Sequence, residues 1–413
     1  MRALHLGTRL AGTDGVSLEA AKVARVLDDL GFARLDCAGE VETPGAILLP
    51  EMHFRDPVAV DLHDRAFATD DPDPRLERDL EDATDRLTEA LLPRVRDAAP
   101  DLLVVQNAWA IPMQLPLAAA LARVAIATGL PTLSHEHDYW WERERFARDR
   151  VRPWLDRWFP FDAPNVRHLA INTPARDALR ARRGIDATVV PNVMDFGAPR
   201  PGPDEERAVR REVRAALGLR EGQRLILQPT RVVPRKGIEL AIELLARLGD
   251  DRNVLVISHA SGDEGAGTLA HLHDLADRSG VDLRYEGDRF APRRAPGRFS
   301  LDDAYLAADV VTYPSLYEGF GNALLETIAH RRAAVVNRYE VYVRDIAPTG
   351  VRFVELDGSV TDDAVAAFAR LLDDPEERRS MTEHNARVAR RHFGMEALRE
   401  RLAGPLRSLG TVS

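Results

Sequence analysis

The chain has 413 residues, 45% of them apolar, with 56 basic against 66 acidic side chains and a formal charge of −10. At about 100–200 residues per domain, that length predicts two or three domains, each able to bury a core. The acidic balance speaks against a nonspecific nucleic-acid or anionic-membrane binder, and the single Cys37 excludes an internal disulfide or a cysteine-cluster zinc site.

The opening Arg2-Ala3-Leu4-His5-Leu6-Gly7 reads as a strand with no signal-peptide pattern, and no later run reaches the roughly 18 apolar residues that span a bilayer. A cytoplasmic protein without a transmembrane segment is expected. Strand-like runs follow at 46–49, 102–106, 131–134, 168–171 and 188–190. The spacing predicts a helix over 17–30, with Leu18, Ala21, Ala24, Leu27 and Leu30 on one stripe and Gly31 as a stop. A second helix is predicted over 75–98, where Leu76, Leu80, Ala83, Leu87, Leu91 and Val95 share a face. Pro199-Arg200-Pro201-Gly202-Pro203 and the charged stretch to Arg214 read as a linker. Strands then recur at 225–228, 254–258, 282–285, 310–313, 333–336 and 352–354, with helices over 237–248, 268–278, 321–331, 362–372 and 376–392. This alternation predicts an α/β chain of two doubly wound, Rossmann-like domains, over 1–196 and 197–392. Such sheets bind ligands beyond the carboxyl ends of their strands, so a site in a cleft between the domains is expected.

Tyr313-Pro314-Ser315-Leu316-Tyr317-Glu318-Gly319-Phe320-Gly321-Asn322 ends a strand, crosses a glycine-bearing loop and enters a helix that carries Glu326. Backbone N–H groups at a helix start suit a phosphate, and a carboxylate accepts paired hydroxyls from a vicinal diol. Gln228-Pro229-Thr230-Arg231-Val232-Val233-Pro234-Arg235-Lys236-Gly237 repeats the strand, loop and helix order. Arg231 and Lys236 there suit a diphosphate and the charge that grows on it as it leaves. Only Lys22 and Lys236 are lysines, so arginine is the default cation and a lysine in this loop carries weight. Lys22 falls on the polar face of a helix and reads as incidental.

Ser134-His135-Glu136-His137-Asp138-Tyr139-Trp140-Trp141-Glu142-Arg143-Glu144-Arg145 follows another strand. Its aromatic residues suit an acceptor wall, with packing an equal reading for Trp140 and Trp141, and Arg143 or Arg145 suits an acidic acceptor group. His135 and His137 share a strand face but lack the aspartate and histidine that a His-x-His-x-Asp-His metal site needs at 139 and 140, so no metal is expected. The loop Gly7 to Val16 has glycines that admit close approach of a ligand, though Gly7, Gly12 and Gly15 do not form Gly-x-Gly-x-x-Gly.

Together these segments resemble the retaining GT-B glycosyltransferases of family 4, over essentially the whole chain. Glu318 and Glu326 match the family's Glu-x7-Glu, and Arg231, Lys236 and Gly237 its Arg-x4-Lys-Gly. The resemblance implies that Arg231 and Lys236 bind the donor diphosphate, Glu318 the donor sugar and Glu326 the ribose. It further implies that backbone amides of Phe320, Gly321 and Asn322 meet sugar and phosphates, and that loops 259–265 and 286–289, with Arg289, flank the nucleotide. His137, followed by Asp138, fits the histidine that points toward the donor sugar, with His135 as the alternative, and the loop with Gly15 would lie near the acceptor. Asn192 would be a hinge or cleft residue, and the final helix, 393–413, would return to the first domain. His137, Arg231, Lys236 and Glu318 would carry catalysis, and Gly15, Asp138, Tyr139 and Arg143 the acceptor. No resident cofactor is implied; a nucleoside diphosphate sugar is the co-substrate, and Mg2+ is compatible with the motifs without being required.

Residues 137–143, with Asn337-Arg338-Tyr339 and Asp345-Ile346, resemble enzymes that make glycosylated compatible solutes, mannosylglucosylglycerate synthases among them. That implies transfer of a hexose from GDP-mannose or UDP-glucose to a small polar acceptor such as a glycerate glycoside. Two readings stay open beside it. The arginine-rich stretches 143–157 and 176–183 allow a lipid- or polysaccharide-directed enzyme, and the same fold serves nucleotide-sugar epimerases.

Overall fold

The computed structural model describes residues 1–69, 71–260 and 266–411. It divides into two compact units, Met1–Val193 with Met395–Ser413, and Met194–Gly394.

In the first unit seven parallel strands lie in the order β3-β2-β1-β4-β5-β6-β7. They are β1 (Arg2–Gly7), β2 (Ala33–Ala38), β3 (Ile47–Leu48), β4 (Leu102–Gln106), β5 (Thr132–Glu136), β6 (Val166–Ala170) and β7 (Ala187–Val189). Six helices interleave with them: α1 (Gly15–Asp29), α2 (Pro57–Phe67), α3 (Leu76–Ala98), α4 (Leu115–Thr128), α5 (Arg152–Trp158) and α6 (Thr173–Arg183). The α3 stripe read from sequence is buried as a whole. It packs with α4, whose Leu-Pro-Leu-Ala-Ala-Ala-Leu-Ala run is almost entirely buried and lacks the one-sided pattern that would mark a surface helix.

The second unit has six parallel strands in the order β10-β9-β8-β13-β14-β15. These are β8 (Arg224–Gln228), β9 (Asn253–Ile257), β10 (Asp282–Tyr285), β13 (Val310–Tyr313), β14 (Ala333–Asn337) and β15 (Val354–Leu356); β11 (Phe290–Ala291) and β12 (Phe299–Ser300) pair separately. Its helices are α7 (Pro203–Ala216), α8 (Ile238–Leu248), α9 (Ala266–Ser279), α10 (Leu301–Ala307), α11 (Asn322–Ala329), α12 (Asp362–Asp373) and α13 (Pro375–Phe393). A last helix, α14 (Met395–Ser408), belongs to the first unit, where Leu398, Leu402 and Leu406 pack with Val23 and Leu27 of α1 and Leu133 and Leu169 of the sheet. No helix among the described residues is long and apolar enough to cross a membrane.

Four expectations are corrected. Leu18 and Ala21 of α1 face solvent, and Ala20, Val23, Ala24 and Leu27 form the buried stripe. The apolar arc serves either rotation; the sheet and α14 decide which one is covered. Lys22 is not incidental: its Nζ donates to Glu19 Oε1 at 2.6 Å and to the Val193 carbonyl at 2.5 Å, while Glu19 accepts from the Val193 N–H at 3.2 Å. Strand β2 was not foreseen, because buried Asp36 interrupts its apolar pattern; Arg34 at 2.6 Å and Thr43 at 2.5 Å satisfy that carboxylate. The stretch after Pro203 is helix α7 of the second unit, not linker. Arg210 and Arg214 on α7 converge on Asp309, which also accepts from the Leu225 N–H at 2.8 Å.

Asp309 thus ties α7 to the starts of β8 and β13. Asp309→Ala leaves three donors without their acceptor and is expected to lower unfolding free energy by about 2 kcal/mol in a urea titration. A loss within error would show that α7 is held by apolar contact alone.

Candidate active site

A doubly wound sheet opens a crevice where strand order reverses, because the loops on either side leave in opposite directions. In the second unit that point falls between β8 and β13, which pair in parallel at Ile226–Val310 and Leu227–Val311. The loop after β8 carries Arg231 and Lys236; the loop after β13 carries Glu318. Residues 82 positions apart are therefore delivered to one edge, and Lys236 Nζ donates to Glu318 Oε1. Both side chains are buried, 10% and 9% exposed. Arg235, which the sequence reading passed over, adds a second contact to Glu318 Oε2 at 3.3 Å and donates to the Tyr317 carbonyl at 3.1 Å.

Burial alone would raise the Glu318 pKa; the Lys236 ammonium and its hydrogen bond outweigh that and hold the carboxyl below its usual range. Lys236 also lies 5.9 Å from the centre of the Tyr313 ring. The Arg231 side chain is exposed and makes no hydrogen bond or ion pair with a described residue, while its carbonyl accepts from the Val233 N–H at 3.1 Å. His259, after β9, is held neutral with a pKa near 4 by burial, then by Lys236 and Arg231. A fixed carboxylate, a lysine, an uncommitted guanidinium and a neutral imidazole thus share one carboxyl edge.

Glycine is required at two points of this edge. Gly237 has φ of +58°, and a Cβ there would lie 2.4 Å from the Pro314 carbonyl. The loops touch at that point, and the Leu316 N–H donates to the Arg235 carbonyl at 2.8 Å. Gly321 has φ of +123°, and its Cβ would meet the Tyr339 hydroxyl at 2.5 Å. That hydroxyl donates to the Phe320 carbonyl at 2.9 Å, and the buried Phe320 ring packs on Phe393. Helix α11 starts at Asn322 with no side chain capping it. Glu326, in its second turn, accepts from the Tyr305 hydroxyl at 3.0 Å. Arg289 is exposed and paired with Glu286 at 2.6 Å on its own turn. Gly287 of that turn packs against Ala260, while residues 261–265 of the neighbouring loop lie outside the described residues.

In the first unit the carboxyl ends of β1, β4 and β5 gather His5, Gln106, His135, Glu136 and His137, all buried. His135 Nδ1 lies 3.0 Å from Gln106 Oε1, and its ring sits 4.5 Å from that of His137. His137 Nε2 has no hydrogen-bond partner among the described residues, so His137 is the less committed of the two. Its N–H donates at 2.9 Å to Asn107, a residue with φ of +54° that the sequence reading missed. Asn107 also donates to Asp138 at 3.3 Å, and Asp138 pairs with Arg143. Burial holds His5 near pKa 4, and burial with the Lys22 charge does the same for His137. Glu136, bonded by Ser134, is pushed up to about 8 by burial. The histidines are neutral bases and Glu136 is a neutral acid at pH 7. Gly15 is the first residue of α1, capped by Asp14, whose Oδ1 accepts from Val16 and Ser17.

The aromatic wall is corrected. Tyr139 is fully buried, stacked 4.6 Å from Trp141 and packed with Ala170, Leu179 and Ile185, and Trp140 lies in the main core with its Nε1 on the Phe159 carbonyl. Asp138 and Arg143 form a partly exposed ion pair, and Glu142, Glu144 and Arg145 of the segment are exposed as well. Among the described residues no group of three or more His, Cys, Asp or Glu side chains is placed to hold a metal ion.

Two doubly wound units in one chain, with a carboxylate and cations at the switch point of the second, have the GT-B fold, and likeness to known proteins sets the class as glycosyltransferase. Residues 209–388 match the family model for glycosyl transferases group 1. Mannosylglucosylglycerate synthase of Thermotoga maritima is 34% identical, over 94% of this chain and 96% of that enzyme. The enzyme of the same name from Petrotoga mobilis is 28% identical over 84% and 85%. A crystal structure of Anabaena HepE in complex with UDP-glucose shares the fold, with a TM-score of 0.65 at 17% identity over 99% of this chain and 100% of that one. The chain belongs to the group 1 glycosyltransferases, in the family of the mannosylglucosylglycerate synthases.

Lys236→Ala would strand a buried carboxylate, so it is expected to cost about 3 kcal/mol of stability as well as activity. Lys236→Met with Glu318→Gln removes both charges; its melting temperature is expected to recover while transfer stays lost. Equal melting of single and double variants would mean the pair is not coupled. For the first unit, His5 and His137 bind protons less readily folded than unfolded, so stability falls as pH drops from about 6.5 toward 4. Glu136 is the opposite case, and its contribution is lost as pH rises toward about 8. Glu136→Gln is expected to abolish the decline between pH 6.5 and 8, on the order of 2 kcal/mol. An unchanged alkaline slope in melts of the variant would show that Glu136 is ionised.

Proposed function

We propose that the chain moves mannose from GDP-mannose to a glycerate glycoside with retention of anomeric configuration. The observation that carries this is the Lys236–Glu318 pair beside the uncommitted Arg231, together with likeness along nearly the whole chain to enzymes named for mannosylglucosylglycerate. On donor binding the Lys236 ammonium exchanges its carboxylate partner for the diphosphate, and Glu318 turns its oxygens to the sugar hydroxyls. The bond from the anomeric carbon to the phosphate oxygen breaks while the acceptor oxygen bonds that carbon from the same face. The acceptor's proton passes to the departing phosphate oxygen. Arg231 and Lys236 take up the charge that forms there, and neutral His259 adds none of its own. His137 offers a neutral imidazole to the sugar, and Arg143 with Asp138 a charged rim to an acidic acceptor.

A small acceptor is favoured over a lipid by how the basic stretches are spent. Arg145, Arg152 and Arg157 lie over Phe146, Trp140 and Trp158, and Arg148 and Arg150 donate to the carbonyls of Phe67 and Arg65. Arg176 and Arg180 pair with Asp177 and Asp186, and Arg183 donates to the 155–160 turn. Of these, the ion pairs of Arg152 with Asp156, Arg176 with Asp177 and Arg180 with Asp186 cancel charge that an anionic membrane surface would otherwise attract.

The test incubates the purified chain with glucosylglycerate and GDP-mannose, UDP-glucose or ADP-glucose in turn, and reads the product by NMR. An α-mannoside from GDP-mannose is expected, with Arg231→Ala slowing its formation by about a hundredfold or more. An epimerised nucleotide sugar, or a β-linked product, would overturn the reading.

A further inference from the structure

At the opposite edge of the second sheet, Arg331 and Arg332 join α11 to β14. They are treated differently by the fold. Arg332 is fully engaged, with Glu206 and the carbonyls of Tyr305 and Leu306. Arg331 has φ of +54°, at a helix end where glycine is the usual occupant, and its buried Nη1 has no hydrogen-bond partner among the described residues. An L side chain kept in that backbone region costs on the order of 1 kcal/mol, which makes a functional reason worth seeking. Helix α13 packs along α11 and presents Glu383, Arg387 and Arg390 at successive turns of one face, and Arg200 joins them. Their charges all act on Arg331, three cations against one acid. Arg200, Arg331 and Arg387 have no ion pair with a described residue other than this distant pull from Glu383, and Arg390 donates only to the Phe196 carbonyl, at 2.5 Å. In a chain of net charge −10, with most other arginines paired, four left together are conspicuous.

We propose that Arg331, Arg387, Arg390 and Arg200 form a binding site for a small, free phosphoryl anion of two or more charges, separate from the donor loops. Planar guanidinium forks match phosphoryl oxygens two at a time, and several converging forks with one acid demand more than a single carboxylate can neutralise. The site lies at the amino ends of the strands, whereas Lys236 and Glu318 lie at the carboxyl ends, so the two do not share side chains.

The probe is inorganic pyrophosphate, titrated by calorimetry into the Arg231→Ala chain and into the same chain carrying Arg331→Gly and Arg387→Ala. Holding Arg231→Ala constant keeps the donor loop equal in both. Glycine suits the backbone at 331, so the ligand-free melting temperature is expected to hold or rise, and weaker binding then cannot be laid to misfolding. Affinity is expected to fall by about tenfold or more. Equal affinity in the two chains would overturn the proposal. So would binding to phosphatidylglycerol vesicles that the same substitutions abolish, since the arginines would then serve a membrane surface.

Discussion

The second unit is organised around a lysine and a glutamate that are buried together. Neither could be placed alone at the end of that sheet, since an unpaired charge there would cost several kcal/mol of lost hydration. Their union explains the local sequence. Gly237 lets the two loops meet at the Pro314 carbonyl, Arg235 steadies the outer carboxylate oxygen, and Tyr339 closes the loop from beneath through Phe320. A buried pair of this kind adds little net stability, and hydrophobic residues would fill the space at lower cost. Its value lies in holding a carboxylate ionised and a lysine oriented before any ligand arrives.

The first unit solves burial the other way. At the carboxyl edge of its sheet His5, His135 and His137 are kept neutral and Glu136 is kept protonated, so none of these four needs a charged partner. Lys22, tied to Glu19 and the Val193 carbonyl, adds to the pressure on His137. A neutral imidazole with an uncommitted nitrogen can accept or donate a hydrogen bond without introducing charge. The two carboxyl edges therefore carry different electrostatic characters: one a fixed ion pair, the other a polar, uncharged cluster.

Much of this could be read along the chain because the signals were local. Strands β4, β8, β9, β13 and β14 are short apolar runs, α3 has a clean stripe, and the glycine-bearing loops sit between strand and helix as the motifs require. The failures also have local causes. Asp36 hid β2 because only its partners, Arg34 two residues before it and Thr43 beyond the strand, make that buried carboxylate tolerable. Proline, glycine and charge disguised α7, whose arginines find Asp309 about 95 residues away. Tyr139 and Trp140 carry the same letters whether they line a site or fill a core.

Residue type and spacing by themselves determined the two-unit α/β architecture, the family, and which residues stand on the loops after β8 and β13, since each depends on neighbours within a few turns of the chain. Folding in three dimensions decided which lysine meets which acid, which face of α1 is covered, that Arg235 shares the Glu318 carboxylate, and that Arg331 Nη1 finds no hydrogen-bond partner among the described residues. Those outcomes depend on strand order and on helices packing across long sequence separations, where burial and pairing are set by atoms that no local pattern contains.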